Sequence, residues 1–197
     1  MKLLRYGPKG REKPGILDKA GKIRDLSKVI PDITGETISP KGLAKLRKLK
    51  LESLPLVRGT PRIGACVANP QKFVAIGLNY SDHAEESGLK VPPEPIIFTK
   101  HTSCLSGPND DVTIPPKSKK SDWEVELAAV IGQRTRRVPA GRALDCVAGY
   151  TIVNDVSGGR ADPDMARVVA DARVPWILMH WRSVVAERPH QVPGYDD

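Results

Sequence analysis

No stretch of this 197-residue chain approaches the roughly 18 uninterrupted apolar residues that a membrane-crossing helix requires. The first eight residues carry a charge at Arg5 and a breaker at Gly7. They hold no apolar core of the kind a secretory signal needs, and the expectation is a cytoplasmic protein. Cysteine is scarce: Cys66, Cys104 and Cys146 are the only three, and no Cys-x-x-Cys pair exists. An odd, widely spaced set excludes the short-range zinc and redox motifs and argues against a disulfide framework. All three are expected to pack as small reduced hydrophobes. Internal repeats and low-complexity tracts are absent too. What remains, 40% hydrophobic and 27% charged residues, is the composition of a globular domain and not of a disordered chain.

The formal charge of +8 is unevenly placed. Residues 1–60 hold 15 Lys/Arg against 6 Asp/Glu, whereas residues 61–197 hold 16 against 17. The segment Lys41–Lys50 spaces Leu43, Leu46 and Leu49 three apart with cations between them, which predicts an amphipathic basic helix. Such a helix could meet nucleic acid or an anionic membrane, or present a solvated face over a small core. Charge runs are weak evidence of partners, so the second reading is preferred and neither nucleic acid nor membrane is an expected partner.

Along the chain, 2–6 and 22–26 read as short strands, with Asp18–Gly21 as the turn before the second. The proline-punctuated stretch 54–70 reads as a linker. It divides a small α+β domain over 1–60 from a second domain over 70–157. In that second domain the apolar run 72–79 predicts a buried strand, 82–87 a helical turn, 96–99 a strand, 123–131 a strand, 139–145 a short helix and 146–156 another strand. The expected class is therefore mainly β with short helices. Beyond residue 157 the texture changes. Asp162-Pro163 starts a helix over 162–171, and Val174–Met179 is an apolar strand. That is a βαβ fragment of TIM-barrel type, expected to form a third piece over 158–197.

The sharpest local signal is Ser121-Asp-Trp-Glu-Val-Glu-Leu127. On a strand, Glu124 and Glu126 project to one side and Trp123, Val125 and Leu127 to the other. Adjacent carboxylates repel and resist desolvation unless a cation lies between them, so the pair marks either a half-exposed sheet face or a cation site. Were Asp155 on the next strand to join them, three hard oxygen donors would suit Mg²⁺, Mn²⁺ or Ca²⁺ better than Zn²⁺. The second constellation is Gly77-Leu-Asn-Tyr-Ser-Asp-His-Ala-Glu-Glu86, where a helical turn would stack His83 and Glu86 on one face. A carboxylate on one imidazole nitrogen orients the ring and makes the other nitrogen a competent base. Lys100, ending Glu94-Pro-Ile-Ile-Phe-Thr-Lys100, is either a surface lysine or a cation for an anionic substrate.

Five segments together resemble the fumarylacetoacetate hydrolase family. They are Ile76–Glu86, Pro95–Lys100, Ser106-Gly-Pro-Asn-Asp110, Asp122–Gly132 and Ala148–Ser157, and the resemblance spans residues 1–157. It implies a mixed β-roll, left incomplete by these residues alone, and an enzyme that is commonly dimeric. It implies a divalent ion, Mg²⁺ or a related one, held by Glu124, Glu126 and Asp155. It implies His83 and Glu86 as an acid–base pair on a lid, and Lys100 at the substrate. The substrate would be a small 2-oxo or enol carboxylate, and the outcome C–C cleavage, tautomerisation or decarboxylation.

A second resemblance begins on the same string. Val153-Asn-Asp-Val-Ser-Gly-Gly159 and Val174-Pro-Trp-Ile-Leu-Met-His-Trp-Arg182 are similar to dihydropteroate synthase, a TIM-barrel enzyme of folate synthesis. It implies a pterin contact at Asn154. Both families use Val-Asn-Asp-Val-Ser, so a chimeric junction there is the expectation. The alternatives to an active hydrolase-type enzyme are a synthase fragment and an inactive truncated subunit that acts by association with intact partners.

Overall fold

In the computed structural model, residues 1–113, 116 and 124–155 are described, with the side chains of Glu124 and Asp155 left out. The βαβ fragment and third domain expected after residue 157 lie outside the described residues.

The N-terminal unit is a four-stranded antiparallel sheet in the order β3-β2-β1-β4. Its strands are β1 (Lys2–Tyr6), β2 (Lys13–Leu17), β3 (Ile23–Asp25) and β4 (Ile63–Gly64). The turn into β3 is built as expected. Asp18 Oδ1 accepts from the amides of Ala20 and Lys22, and Gly21 takes a φ of 73°. Strand β2 is not visible in the sequence because it opens on Lys13-Pro14-Gly15, which reads as punctuation. Proline is tolerated there because it lies beyond the last residue paired to β3. Its carbonyl still accepts the Leu26 amide at 3.0 Å.

Helix α1 (Pro40–Arg47) starts on Ser39, whose hydroxyl accepts the Gly42 amide at 3.1 Å, with proline at the first helical position. Leu43 and Leu46 are buried, and Lys41, Lys45 and Arg47 are exposed. The basic stripe is thus a solvated face over a core. That core gathers Leu3, Ile16, Leu26, Ile30, Ile33, Ile38, Leu43 and Leu46.

Two antiparallel ribbons follow, β5 (Phe73–Gly77) with β6 (Ile96–Lys100) and β7 (Glu124–Ile131) with β8 (Val147–Asp155). Between β5 and β6 lies α2 (Ser81–Glu86). The helix expected at 139–145 is a 3₁₀ stretch, Ala140–Cys146. The described residues are therefore mainly β with few short helices.

Three expectations are corrected. Residues 54–70 are no bare linker: β4 pairs with β1, the Arg24–Leu56 bridge extends the sheet, and the Ala68 amide reaches the Ile33 carbonyl at 2.8 Å. Strand β5 is only partly buried. Ala75 is covered, but Val74 and Ile76 are exposed because their face meets no described element. Finally, Cys66 and Cys146 are buried thiols, whereas Cys104 sits on the exposed 3₁₀ turn Thr102–Cys104.

Candidate active site

The β7–β8 ribbon joins the expected carboxylates through its register. Glu124 pairs directly with Asp155, and Glu126 with Val153. Opposite partners share a face and i, i+2 residues return to it, so the backbone sets Glu124, Glu126 and Asp155 at one corner of one face. Thr151 follows on that face, buried, with its hydroxyl 3.7 Å from the Cys66 thiol. Burial raises the Cys66 pKa, which keeps the thiol protonated and inert. At its far end the ribbon docks on the N-terminal core through Ala148 and Val130. Gly132 packs so closely that a Cβ would stand 2.6 Å from the Ile38 carbonyl oxygen. The ribbon is therefore anchored at one end and carries its acidic corner at the other.

Among the described residues, no three His, Cys, Asp or Glu side chains cluster closely enough to hold a metal ion. Two of the three expected donors have side chains outside the description, so backbone register bears on the site. Three carboxylates at one corner of a strand pair fit a hard divalent cation by donor type and by charge.

Helix α2 sets His83 and Glu86 one turn apart, His83 half-buried and Glu86 exposed. Its first turn is anchored across the molecule. The Leu127 amide of β7 donates to the Tyr80 phenol oxygen at 3.0 Å, and the Tyr80 carbonyl accepts the Ala84 amide. The structure thus brings the start of α2 to the strand that bears Glu124 and Glu126. Lys100 ends β6 opposite Phe73, with its ammonium 5.5 Å from the Phe98 ring centroid. Asn154 is exposed on β8 opposite Val125, so it occupies the other face from the carboxylates.

Sequence reasoning missed the group that fixes the loop after β6. Arg62 forks onto Asp110 with contacts of 2.6 and 2.5 Å, and its other nitrogen meets Glu12 at 2.8 Å. Asp110 also caps the Gly107 amide at 2.8 Å. Arg5 extends the chain of charges, 3.5 Å from Glu12 and 2.8 Å from Asp32. The Arg62 hydrogen bonds hold the Asp110 carboxyl below its usual range. Burial pushes Glu12 upward, but Arg62, local amides and Arg5 outweigh it, and the net shift is downward. At Gly107 a Cβ would lie 2.1 Å from the Ile63 carbonyl oxygen, so the Ser106–Asp110 loop is pressed onto β4.

The described residues define the class by architecture: a mainly β scaffold with few short helices, on which the candidate Glu124, Glu126, Asp155, His83, Glu86 and Lys100 are carried by β6, β7, β8 and α2. Residues 72–180 match the family model for the fumarylacetoacetate (FAA) hydrolase C-terminal domain, more than half of the chain, and the chain belongs to that family. Its members are hydrolases and isomerases that generally use divalent metal ions. A Burkholderia cenocepacia protein bearing only the provisional name of hydrolase is 61% identical over 157 residues, 80% of this chain and 56% of that protein. This chain thus spans little more than half the length of that relative. Among solved structures, maleylpyruvate hydrolase from Sphingobium sp. SYK-6 aligns with a TM-score of 0.61 at 27% identity, covering 81% of this chain and 61% of that one. The 5-carboxymethyl-2-hydroxymuconate delta-isomerase of Mycobacterium smegmatis aligns at 0.53 and 27%, covering 90% and 59%. The family match continues to residue 180, past the junction expected at 153–157. Nothing in these comparisons supports a dihydropteroate synthase fragment or a chimera.

Proposed function

We propose that this chain carries the substrate-facing half of a divalent-metal-dependent hydrolase or isomerase acting on a small 2-oxo or enol carboxylate. The observation that carries the reading is the β7–β8 register, in which Glu124 faces Asp155 and Glu126 follows on the same side. These three would hold Mg²⁺, or Mn²⁺ or Ca²⁺ in its place. Such an ion supplies charge for the substrate carboxylate and Lewis-acid polarisation of its oxo group.

The rest is the work of this chain's own side chains. Glu86, one turn from His83, would accept from one imidazole nitrogen when the site is assembled, leaving the other to take a proton from water or from the substrate carbon. Water attack at the carbonyl leads to C–C cleavage, and proton transfer alone leads to tautomerisation. Both outcomes have counterparts among the structural relatives, a hydrolase and an isomerase. Decarboxylation needs the same carboxylate to be bound with its oxo group polarised. Lys100, at the tip of β6, supplies a cation for a substrate carboxylate or a developing oxyanion. The reading places the protein in the cytoplasm as a homodimer.

Calorimetric titration of Mg²⁺ and Mn²⁺ into the chain tests it, beside a Glu124→Ala/Glu126→Ala variant. One saturable site, lost in the variant, supports the reading. Equal binding by both proteins would overturn the carboxylate assignment.

A further inference from the structure

We infer that Tyr80 is a positioning residue: its phenol oxygen latches the His83–Glu86 turn onto the strand that bears the acidic corner. The inference rests on the proposed function for its catalytic meaning, although the latch itself is a matter of geometry.

Helix α2 is short, only six residues, and a single turn has little stability of its own. It stands among weakly covered groups: Asp82, Glu85, Glu86, Leu89 and Val91 are all exposed. Ala84 is the one residue of the helix that is buried. Something must therefore fix the orientation of α2 if His83 is to meet a substrate held beside β7. The residue that does so begins the helix. The Tyr80 carbonyl accepts the Ala84 amide at 3.1 Å, and its side chain runs to β7, where the oxygen accepts the Leu127 amide at 3.0 Å.

The donor belongs to the peptide unit that joins Glu126 to Leu127. In a strand, neighbouring amides point to opposite edges. A Leu127 amide spent on Tyr80 is therefore directed away from β8, on the edge of β7 that no described strand covers. An unpaired amide on a half-buried strand is costly, and Tyr80 satisfies it. One bond thus performs two tasks. It caps an open strand edge next to Glu126, and it fixes the first residue of the turn that carries His83. The hydroxyl proton of Tyr80 is not used in this bond.

Tyr80→Phe removes the oxygen and keeps the ring. Hydrogen exchange of backbone amides, read by NMR on the full chain, gives the first measurement. Exchange at Leu127 and at the α2 amides of Ala84, Ser87 and Leu89 is expected to quicken about five- to tenfold, the range for loss of one hydrogen bond. Amides of Leu3 and Ile16 in the core are expected to keep their rates. A second measurement adds Mn²⁺ and follows paramagnetic broadening of the His83 ring signals. In Tyr80→Phe the broadening should fall while Mn²⁺ affinity stays the same. Unchanged exchange across α2 overturns the latch, and so does uniform quickening across the whole chain, which would make Tyr80 a general structural residue. If neither protein binds Mn²⁺, the metal reading fails, and the exchange rates still decide the latch.

Discussion

The N-terminal sheet and the two ribbons that follow it are built on opposite terms. The first wraps a contiguous core in which Leu26 and Ile33 are fully buried, and it carries none of the candidate chemistry. The ribbons carry the candidate residues and, among the described residues, have little core of their own: Val74, Ile96, Ile97 and Phe98 of β5–β6 are all exposed. A two-stranded ribbon is marginal alone in water, so the site-bearing half borrows its order. The loans can be named. Ala148 and Val130 enter the N-terminal core, Thr151 meets Cys66, and Arg62 holds Asp110. The lesson is a division of labour, in which a well-packed sheet anchors ribbons whose apolar side chains are largely exposed.

The largest effect should come from the core. Ile33→Ala, at a fully buried position, is expected to lower stability by about 2–5 kcal/mol in urea unfolding. Ile97→Ala, at a side chain 67% exposed, should stay within about 0.5 kcal/mol. Comparable losses at the two sites would break the contrast, because they would mean that the β5–β6 face is covered in solution.

The joint between the halves comes next. Arg62→Ala leaves Asp110 and Glu12 without their principal partner. The pair side chains are 26% and 13% exposed, so the cost is expected at about 1–3 kcal/mol, below the range for a fully buried ion pair. The pH dependence follows from the direction of the shifts. Both carboxyls sit below their unfolded values, so their contribution is complete above about pH 5 and is lost as pH falls through the lower folded values. Arg62→Ala should therefore flatten the acid limb of stability. An acid limb as steep as in the unaltered protein would show that the network does not couple the halves.

Local pattern made much of this legible. Period-two alternation put Glu124 and Glu126 on one side of a strand, and leucines three apart marked the buried stripe of α1. The turn at Asp18–Gly21 announced itself through its residue types. What was not legible is what depends on distant partners. Pro14-Gly15 and the prolines around β4 read as breaks because a single sequence does not reveal that β1 lies between them. Arg62 and Asp110 are 48 residues apart and Tyr80 and Leu127 are 47, with no periodicity to connect either pair. The exposure of β5 escaped for a related reason. An apolar run predicts a surface that wants cover, and it does not tell which part of the chain provides it.

The smallest expected effect gives the finest reading of how the halves are coupled. Ser39 caps α1 through its hydroxyl on the Gly42 amide, next to Ile38, whose carbonyl meets Gly132 at the docked end of the β7–β8 ribbon. Ser39→Ala should cost about 1 kcal/mol of helix and core stability. If the ribbons borrow their order from the core, amides of β7 and β8 that exchange only by global unfolding should quicken by the same factor as those of Leu3 and Ile16. One kilocalorie per mole corresponds to about a fivefold change in such rates. If the β7–β8 amides keep their rates while the core amides quicken, the ribbon holds its own structure. Ala148 and Val130 would then be contacts of convenience, and the acidic corner would stand without help from the N-terminal sheet.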